Sequence, residues 1–324
     1  MKKNILFTLI LAFVTFTSFQ NVNAMEKIEE NQYINVNGII MSEQQINNLK
    51  GLGFTDDQIN KMTQDEFDNN KDIEAEVVAK TTKYYKTIIV HDNSASEFSV
   101  KAIGSDIPYS YTEEVTEEEY NNSSDTSLIM PYGLTNGYTE TNYKKMTTTI
   151  SYISSSNNYR YKNDLVWKTI PSTRSYDIIA IGIDSTVSVD PNSTYFQQNI
   201  DIYNDFNGTC RYTYDTSGVW SASSRGYART FKIPDNSLSL NGYVGGLSSY
   251  MYFNVQKLTS NTIYVLNAYG SYKHAQKSVS SSVSTGVTVG FPEIISFSGS
   301  VSTTVVESYD SMSTAHAAYS GLSW

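Results

Sequence analysis

The chain has 324 residues, a net charge of −10, and only 17% Asp, Glu, Lys and Arg. Tyr, at 26, is twice as frequent as Phe, at 13. An acidic balance excludes a general nucleic-acid binder, which needs a basic footprint to neutralise phosphates. It also opposes attraction to anionic membranes. The length is ample for a packed core without disulfide staples, and a β-rich, hydroxyl-rich composition predicts sheets.

Residues 1–24 read as a secretory signal. Lys2 and Lys3 form a positive start, Ile5 to Phe19 is apolar, and Val22-Asn23-Ala24 is a small-x-small cleavage site. The apolar run is short for a membrane span. A secreted, extracellular location is expected. Cys210 is the single cysteine, so no disulfide can form within the chain, and its alternating neighbours suggest a strand position.

Charge divides the rest. Residues 25–134 carry 21 acidic and 8 basic side chains, a net of −13. Residues 135–324 carry 12 and 13, a net of +1. This predicts an acidic, partly helical N-terminal region with a linker (25–134) before a β-sandwich domain (135–324).

The front opens with helix starts. Ser42…Gln45, Thr55…Gln58, Thr63…Glu66 and Thr116…Glu119 each place a hydroxyl at the cap and an acid or amide three residues later. Ile46, Leu49, Leu52, Ile59 and Met62 follow at helical spacing. The Leu52-Gly53-Phe54 loop resembles that of ubiquitin-associated three-helix modules. Residues 74–86 fit a helix, although Tyr84 to Val90 reads as a strand. Glu113, Glu114, Glu117, Glu118 and Glu119 lack the interleaved Gly and carbonyl ligands of a calcium loop, so they read as a solvated acidic segment.

The back is β throughout. Strands are expected at 145–153, 159–169, 176–189, 197–203, 210–214, 228–233, 250–257, 262–272, 278–289 and 294–306, separated by Asn, Asp, Gly, Ser and Pro. Short strands with no helical period between them predict an antiparallel sandwich. The fold class is therefore mainly β, with a small acidic α-helical region ahead of it.

Trp167 to Asp177, and Tyr272-Lys273-His274-Ala275 leading through a Ser/Val run to Tyr309-Asp310-Ser311-Met312, join the Leu-Gly-Phe-Thr helices in a wider pattern. Together they resemble secreted proteins of unknown function from Bacillus-like Gram-positive bacteria. The resemblance implies secretion and a β-rich C-terminal domain, and no catalytic residue.

Catalytic motifs are missing. His91, His274 and His316 form no zinc-binding spacing, and no serine-nucleophile elbow or phosphate loop occurs. Asp201 to Gly208 only partly fits a cation loop. Asp164, Asp177 and Asp184 are members of a hydrolase pair only if they meet in space. No cofactor or metal is implied.

Residues 278–308 alternate strictly. Val279, Val283, Val287, Val289 and Phe291, then Ile295, Phe297, Val301 and Val305, occupy odd positions. Ser278, Ser280, Ser282, Ser284 and Thr288, then Ser296, Ser298, Ser300, Ser302 and Thr304, occupy even ones. Each arm exceeds the ~9–11 residues that cross a bilayer as a tilted strand, and the alternation resembles the stems of aerolysin-like pore-forming toxins. The other reading is a sandwich hairpin with one face on the core. The leading expectation is thus a secreted, non-enzymatic protein that binds a surface protein or glycan through its sandwich. A pore-former using 278–308 is the alternative, and a hydrolase with unlocated carboxylates the third. Trp167, Trp220, Tyr159 and Tyr161, with Tyr152, Tyr250 and Tyr252, are the candidate ligand contacts.

Overall fold

The computed structural model describes residues 26–27, 32–91, 109–123, 138–204, 206–235, 242–291, 293–310 and 312–324. The expected signal, 1–24, lies outside them. In chain order come strands β1 (Glu26–Lys27), β2 (Gln32–Ile34) and β3 (Ile40–Ser42) and helices α1 (Glu43–Gly51), α2 (Asp56–Asn60) and α3 (Gln64–Asn70). Strands β4 (Ala75–His91) and β5 (Tyr109–Val115), helix α4 (Glu117–Asn122), and strands β6 (Tyr138–Ile153), β7 (Asn158–Trp167), β8 (Tyr176–Ile183) and β9 (Val187–Val189) follow. Next are β10 (Tyr195–Asn204), β11 (Thr209–Asp215), β12 (Val219–Ser223), β13 (Gly226–Lys232), β14 (Tyr243–Lys257) and β15 (Val265–Lys273). The chain closes with β16 (Val287–Val289), β17 (Ile295–Phe297), helix α5 (Thr303–Val306) and β18 (Ala315–Ser320).

Two antiparallel sheets form the sandwich. The larger runs β11-β10-β14-β7-β6-β4-β5, with β9 also on β14, and the smaller runs β12-β13-β8-β15-β18. Alternation decides what lies between them. Met146, Ile150, Tyr161, Leu165, Met251 and Phe253 from the large sheet meet Ile179, Ile181, Phe231, Leu266 and Ala317 from the small one. Asn163 also points inward, and its amide donates to the carbonyls of Ala180 (3.1 Å) and Ser271 (3.2 Å).

Each sheet carries some cover on its outer face. On the large sheet, β1–β3 and α1–α3 close over Ile153, Tyr250 and Tyr252 with Leu49, Leu52, Phe54, Ile59 and Phe67. Phe54 meets both tyrosines edge-on, at 6.1 and 5.8 Å. Ser42 and Thr55 form full capping boxes, and Thr116 accepts from the Glu119 N–H. Thr63 makes no side-chain cap bond.

Three expectations are corrected. Residues 74–86 are not helical: Thr, Tyr and β-branched residues place 75–91 in β4, paired with β6 from Ala75↔Ile153 to His91↔Tyr138. The composition change near 134 therefore does not divide the sheet, because β4 and β5 of the acidic part belong to it. Residues 278–289 and 294–306 are not long strands either. They form a 3-10 turn at Ser281–Gly286, the three-residue strands β16 and β17, and α5. This segment lies on the outer face of the small sheet. There Val283, Val287, Val289, Ile294 and Ile295 pack on Ile178, Ala180 and Ala228, because water is the alternative neighbour for the valines.

Candidate ligand-binding cleft

The outer face of the large sheet is covered only in part. Beside α2 it opens into a cleft of about 980 Å³, within the range of small-molecule sites. Its floor is Asn199 and Asp201 of β10, Gly245 to Ser248 of β14, Asp164 and Val166 of β7, and Lys145 and Thr147 of β6. Lys61, Gln58 and Asp57 form the α2 wall, while Tyr203, Tyr212, Tyr243 and Tyr84 contribute aromatic surface.

A bulge shapes the floor. The β10–β14 register shifts after Asp201↔Gly246, and Ile202 pairs with Val244. Glycines at the bulge leave room for the neighbouring side chains. A Cβ on Gly245 would fall 2.5 Å from the Tyr203 ring, and one on Gly246 would fall 2.4 Å from Asp201 Oδ2. Tyr203 also stacks on Tyr243 at 6.0 Å, and both rings remain about two-fifths exposed.

The charges are paired but not exhausted. Lys61 Nζ lies 2.8 Å from Asp201 Oδ2 and 3.0 Å from Asp57 Oδ1. Burial opposes the Lys61 charge, yet the two carboxylates hold its pKa above the usual value. Burial pushes the Asp201 pKa up, with Lys61 opposing. Next to them, Lys162 pairs with Asp164 and donates to Gln58 Oε1 at 2.9 Å. Asn199 Oδ1 accepts from Gln197 at 2.7 Å. Among the described residues, Asn199 Nδ2 and Asp201 Oδ1 are buried and have no hydrogen-bond partner. One is a donor and the other an acceptor, and both residues line the cleft. Cys210, on the same surface, has its thiol pKa raised by burial, which keeps it from acting as a thiolate.

The predicted contacts lie mostly elsewhere. Tyr161 is fully buried, and Tyr159 is buried against Trp324. Trp220 is half-buried under Arg229. Only Trp167 of the four borders the cleft, and most of it is buried, with Lys144 4.7 Å from its ring centre. These side chains fill the sandwich because it needs large inward residues. Tyr250 and Tyr252 lie under the helices, and Tyr152 donates to Asn157.

The candidate catalytic groups do not converge. Asp164 is paired with Lys162, Asp177 binds His274 and Tyr272, and Asp184 accepts from Asn267 at 2.6 Å. His316 stacks on Tyr269 at 4.5 Å. Among the described residues no three His, Cys, Asp or Glu side chains group to hold a metal. In the 201–208 stretch, Asn204 and Asn207 cap a hairpin turn, accepting from the N–H groups of Phe206 and Thr209. The acidic run is paired with lysines of β4: Lys86 reaches Glu113 (2.7 Å) and Glu119 (2.8 Å), and Lys83 reaches Glu114.

No family model matches the chain, and no curated protein matches it. Among solved structures it is similar to one described as BspA_C_WT, at 9% identity and a TM-score of 0.24. A second is the C-terminal domain of the Streptococcus agalactiae AgI/II polypeptide BspA, at 8% identity and the same TM-score. Each match covers 59% of this chain and 80% of the other. Likeness at that level carries no argument about fold or ligand. No described helix is long and apolar enough to cross a membrane.

Proposed function

We propose that this is a secreted, non-enzymatic binding protein that holds a glycan in the cleft beside α2. The secretory character of residues 1–24 supports the compartment. The cleft itself, with the half-exposed Tyr203 and Tyr243 rings and the Lys61–Asp201 pair on its lining, carries the binding assignment. Lys61 and Asp201 each keep about a tenth of the side chain exposed there, so a sugar hydroxyl can donate to the carboxylate and accept from the ammonium group. Tyr203 and Tyr243 present aromatic faces on which a sugar ring can stack. Lys80 and Lys145, also in the cleft lining, suit a glycan with some acidic character.

A glycan array followed by calorimetry tests this. Wild-type protein is expected to retain a defined subset of glycans and to release them chemically unchanged. Asp201→Asn should weaken binding about ten-fold or more, since hydrogen bonds to charged groups contribute roughly 1.5–3 kcal/mol. Tyr203→Ala should weaken it by a similar factor while the thermal midpoint stays within a few degrees. A blank array overturns the glycan assignment, and cleavage of a retained glycan replaces binding with hydrolysis.

A further inference from the structure

We propose that residues 274–310 are stored in a folded-back form and convert into one continuous amphipathic β-hairpin that enters a lipid bilayer. The inference rests on backbone register and is independent of the cleft.

The two ends of the segment are already paired. At its root, Ala275 bridges Tyr309, Gln276 N–H donates to the Ser308 carbonyl (2.6 Å), and Asp310 N–H donates to the His274 carbonyl (3.0 Å). At its tip, β16 pairs with β17 through Val287↔Phe297, Thr288↔Ser296 and Val289↔Ile295. Ser298 N–H donates to the Gly286 carbonyl and Gly290 N–H to the Ile294 carbonyl. The residue numbers of each of these pairs add to the same value, 584. Root and tip therefore share one antiparallel register. The unpaired stretches between them, 277–285 and 299–307, are equal in length. Extending both closes the ladder with no slip and no bulge. The β15–β18 ladder adjoining the root is offset by one residue, as in Gly270↔Ala315, and a single bulge accommodates that.

The completed register sorts the side chains. One face pairs Val279 with Val305, Val283 with Val301, Val287 with Phe297 and Val289 with Ile295, with the small pairs Ser281–Thr303 and Thr285–Gly299 between them. The other pairs Ser280 with Thr304, Ser282 with Ser302, Ser284 with Ser300 and Thr288 with Ser296, and carries two apolar exceptions, Val306 opposite Ser278 and Ile294 opposite Gly290. Lys277 meets Glu307 at the base, where oppositely charged cross-strand pairs are favourable. Val279 to Val289 spans about 35 Å at ~3.3 Å per residue, enough for a tilted crossing. A period of two over most of both arms has no use in a 3-10 turn and a one-turn helix. Such a conflict between local pattern and observed structure marks a segment selected for a second state.

The present state has its own logic. A lone long hairpin would expose its valine face to water. Folding back buries Val283, Val287 and Val289 on the small sheet, while Ser221 Oγ donates to the Ser284 carbonyl and Ser223 Oγ to that of Val289. In lipid the unpaired hairpin edges must be satisfied, so several copies would close a barrel.

The mature chain, held on dye-filled vesicles through an N-terminal hexahistidine tag and a nickel-chelating lipid, needs no glycan to reach the membrane. Vesicles of phosphatidylcholine with cholesterol, and of phosphatidylcholine with phosphatidylglycerol, are the two surfaces. Wild-type protein should release dye from at least one. A Ser221→Cys, Ser284→Cys pair in a Cys210→Ser background should cut release at least ten-fold when oxidised, and reduction should restore it. Near-UV circular dichroism checks that the oxidised variant is folded. No release by wild type from either vesicle, or release by the folded, oxidised variant at the wild-type rate, overturns the proposal. Glycan binding stands or falls separately.

Discussion

Glu66 shows how much a single buried group can weigh on this fold. It is fully buried at the start of α3, where Tyr250 donates to Oε2 at 2.6 Å and Oε1 has no partner among the described residues. Burial pushes its pKa up from 4.5 to about 7, against the Tyr250 hydrogen bond and the positive charges of Lys162 and Arg160. The folded chain thus holds a proton there that the unfolded chain gives up earlier. Stability from this group is present below pH ~4.5 and is lost as pH rises towards 7. Urea unfolding of wild type and Glu66→Gln at pH 4.5 and pH 8 checks it. The variant should gain on wild type by on the order of 3 kcal/mol between the two pH values, and a pH-independent difference would refute the assignment. None of this was legible in the sequence, where Glu66 read only as the closing residue of a capping box. Its opponents, Lys162 and Tyr250, are remote along the chain and on two different strands.

Among the elements, the two sheets approach each other tightly at one glycine. Asn163 and Thr148 on the large sheet face Gly270 of β15. A Cβ there would fall 1.9 Å from Thr148 Oγ1 and 2.5 Å from Asn163 Oδ1. Both facing groups are buried and hydrogen-bonded to each other, so neither can swing away. Gly270→Ala should therefore destabilise the chain by roughly 1–3 kcal/mol, the usual cost of overpacking, read from the urea midpoint. Period-two patterning made most sandwich strands visible, to within a few residues. It missed β5, β12 and β18, began β6 and β14 seven residues late, and ran 176–189 together where the structure breaks into β8 and β9. β18, Ala315–Ser320, consists of small and polar residues. Only its pairing with β15 and the burial of Ala315 and Ala317 make it a strand. The alternation was most extended at 278–308, where the observed strands are only three residues each. There the valines pack on Ile178, Ala180 and Ala228 of the small sheet rather than along a ladder.

At the scale of the molecule, composition and architecture part company. The net charge changes near residue 134 because most acidic residues before it lie outside the sheet, whereas β4 and β5 together balance Glu76, Glu113 and Glu114 against Lys80, Lys83 and Lys86. The strands themselves are shared with the neutral part. A chain truncated to 135–324 loses β4, β5 and the helical cover over Tyr250 and Tyr252. It is expected to aggregate and to lack cooperative unfolding in calorimetry; a soluble monomer with a sharp transition would show that the sandwich is autonomous. The cleft was illegible for the same reason that the truncation should fail. Lys61 comes from the front, Asp201 and Asn199 from the back, and only the packed sheet brings them together.

Cys210 gives that assembly a clock. It is the chain's only thiol, half-buried on the cleft lining beside Tyr203 and Tyr212. Its raised pKa makes reaction with a maleimide slow at neutral pH, since the thiolate is the reacting form. A molecule lodged over Asp201 would shield it further. The rate at which one label attaches per chain therefore measures how much of the time the cleft is occupied, without any knowledge of what occupies it.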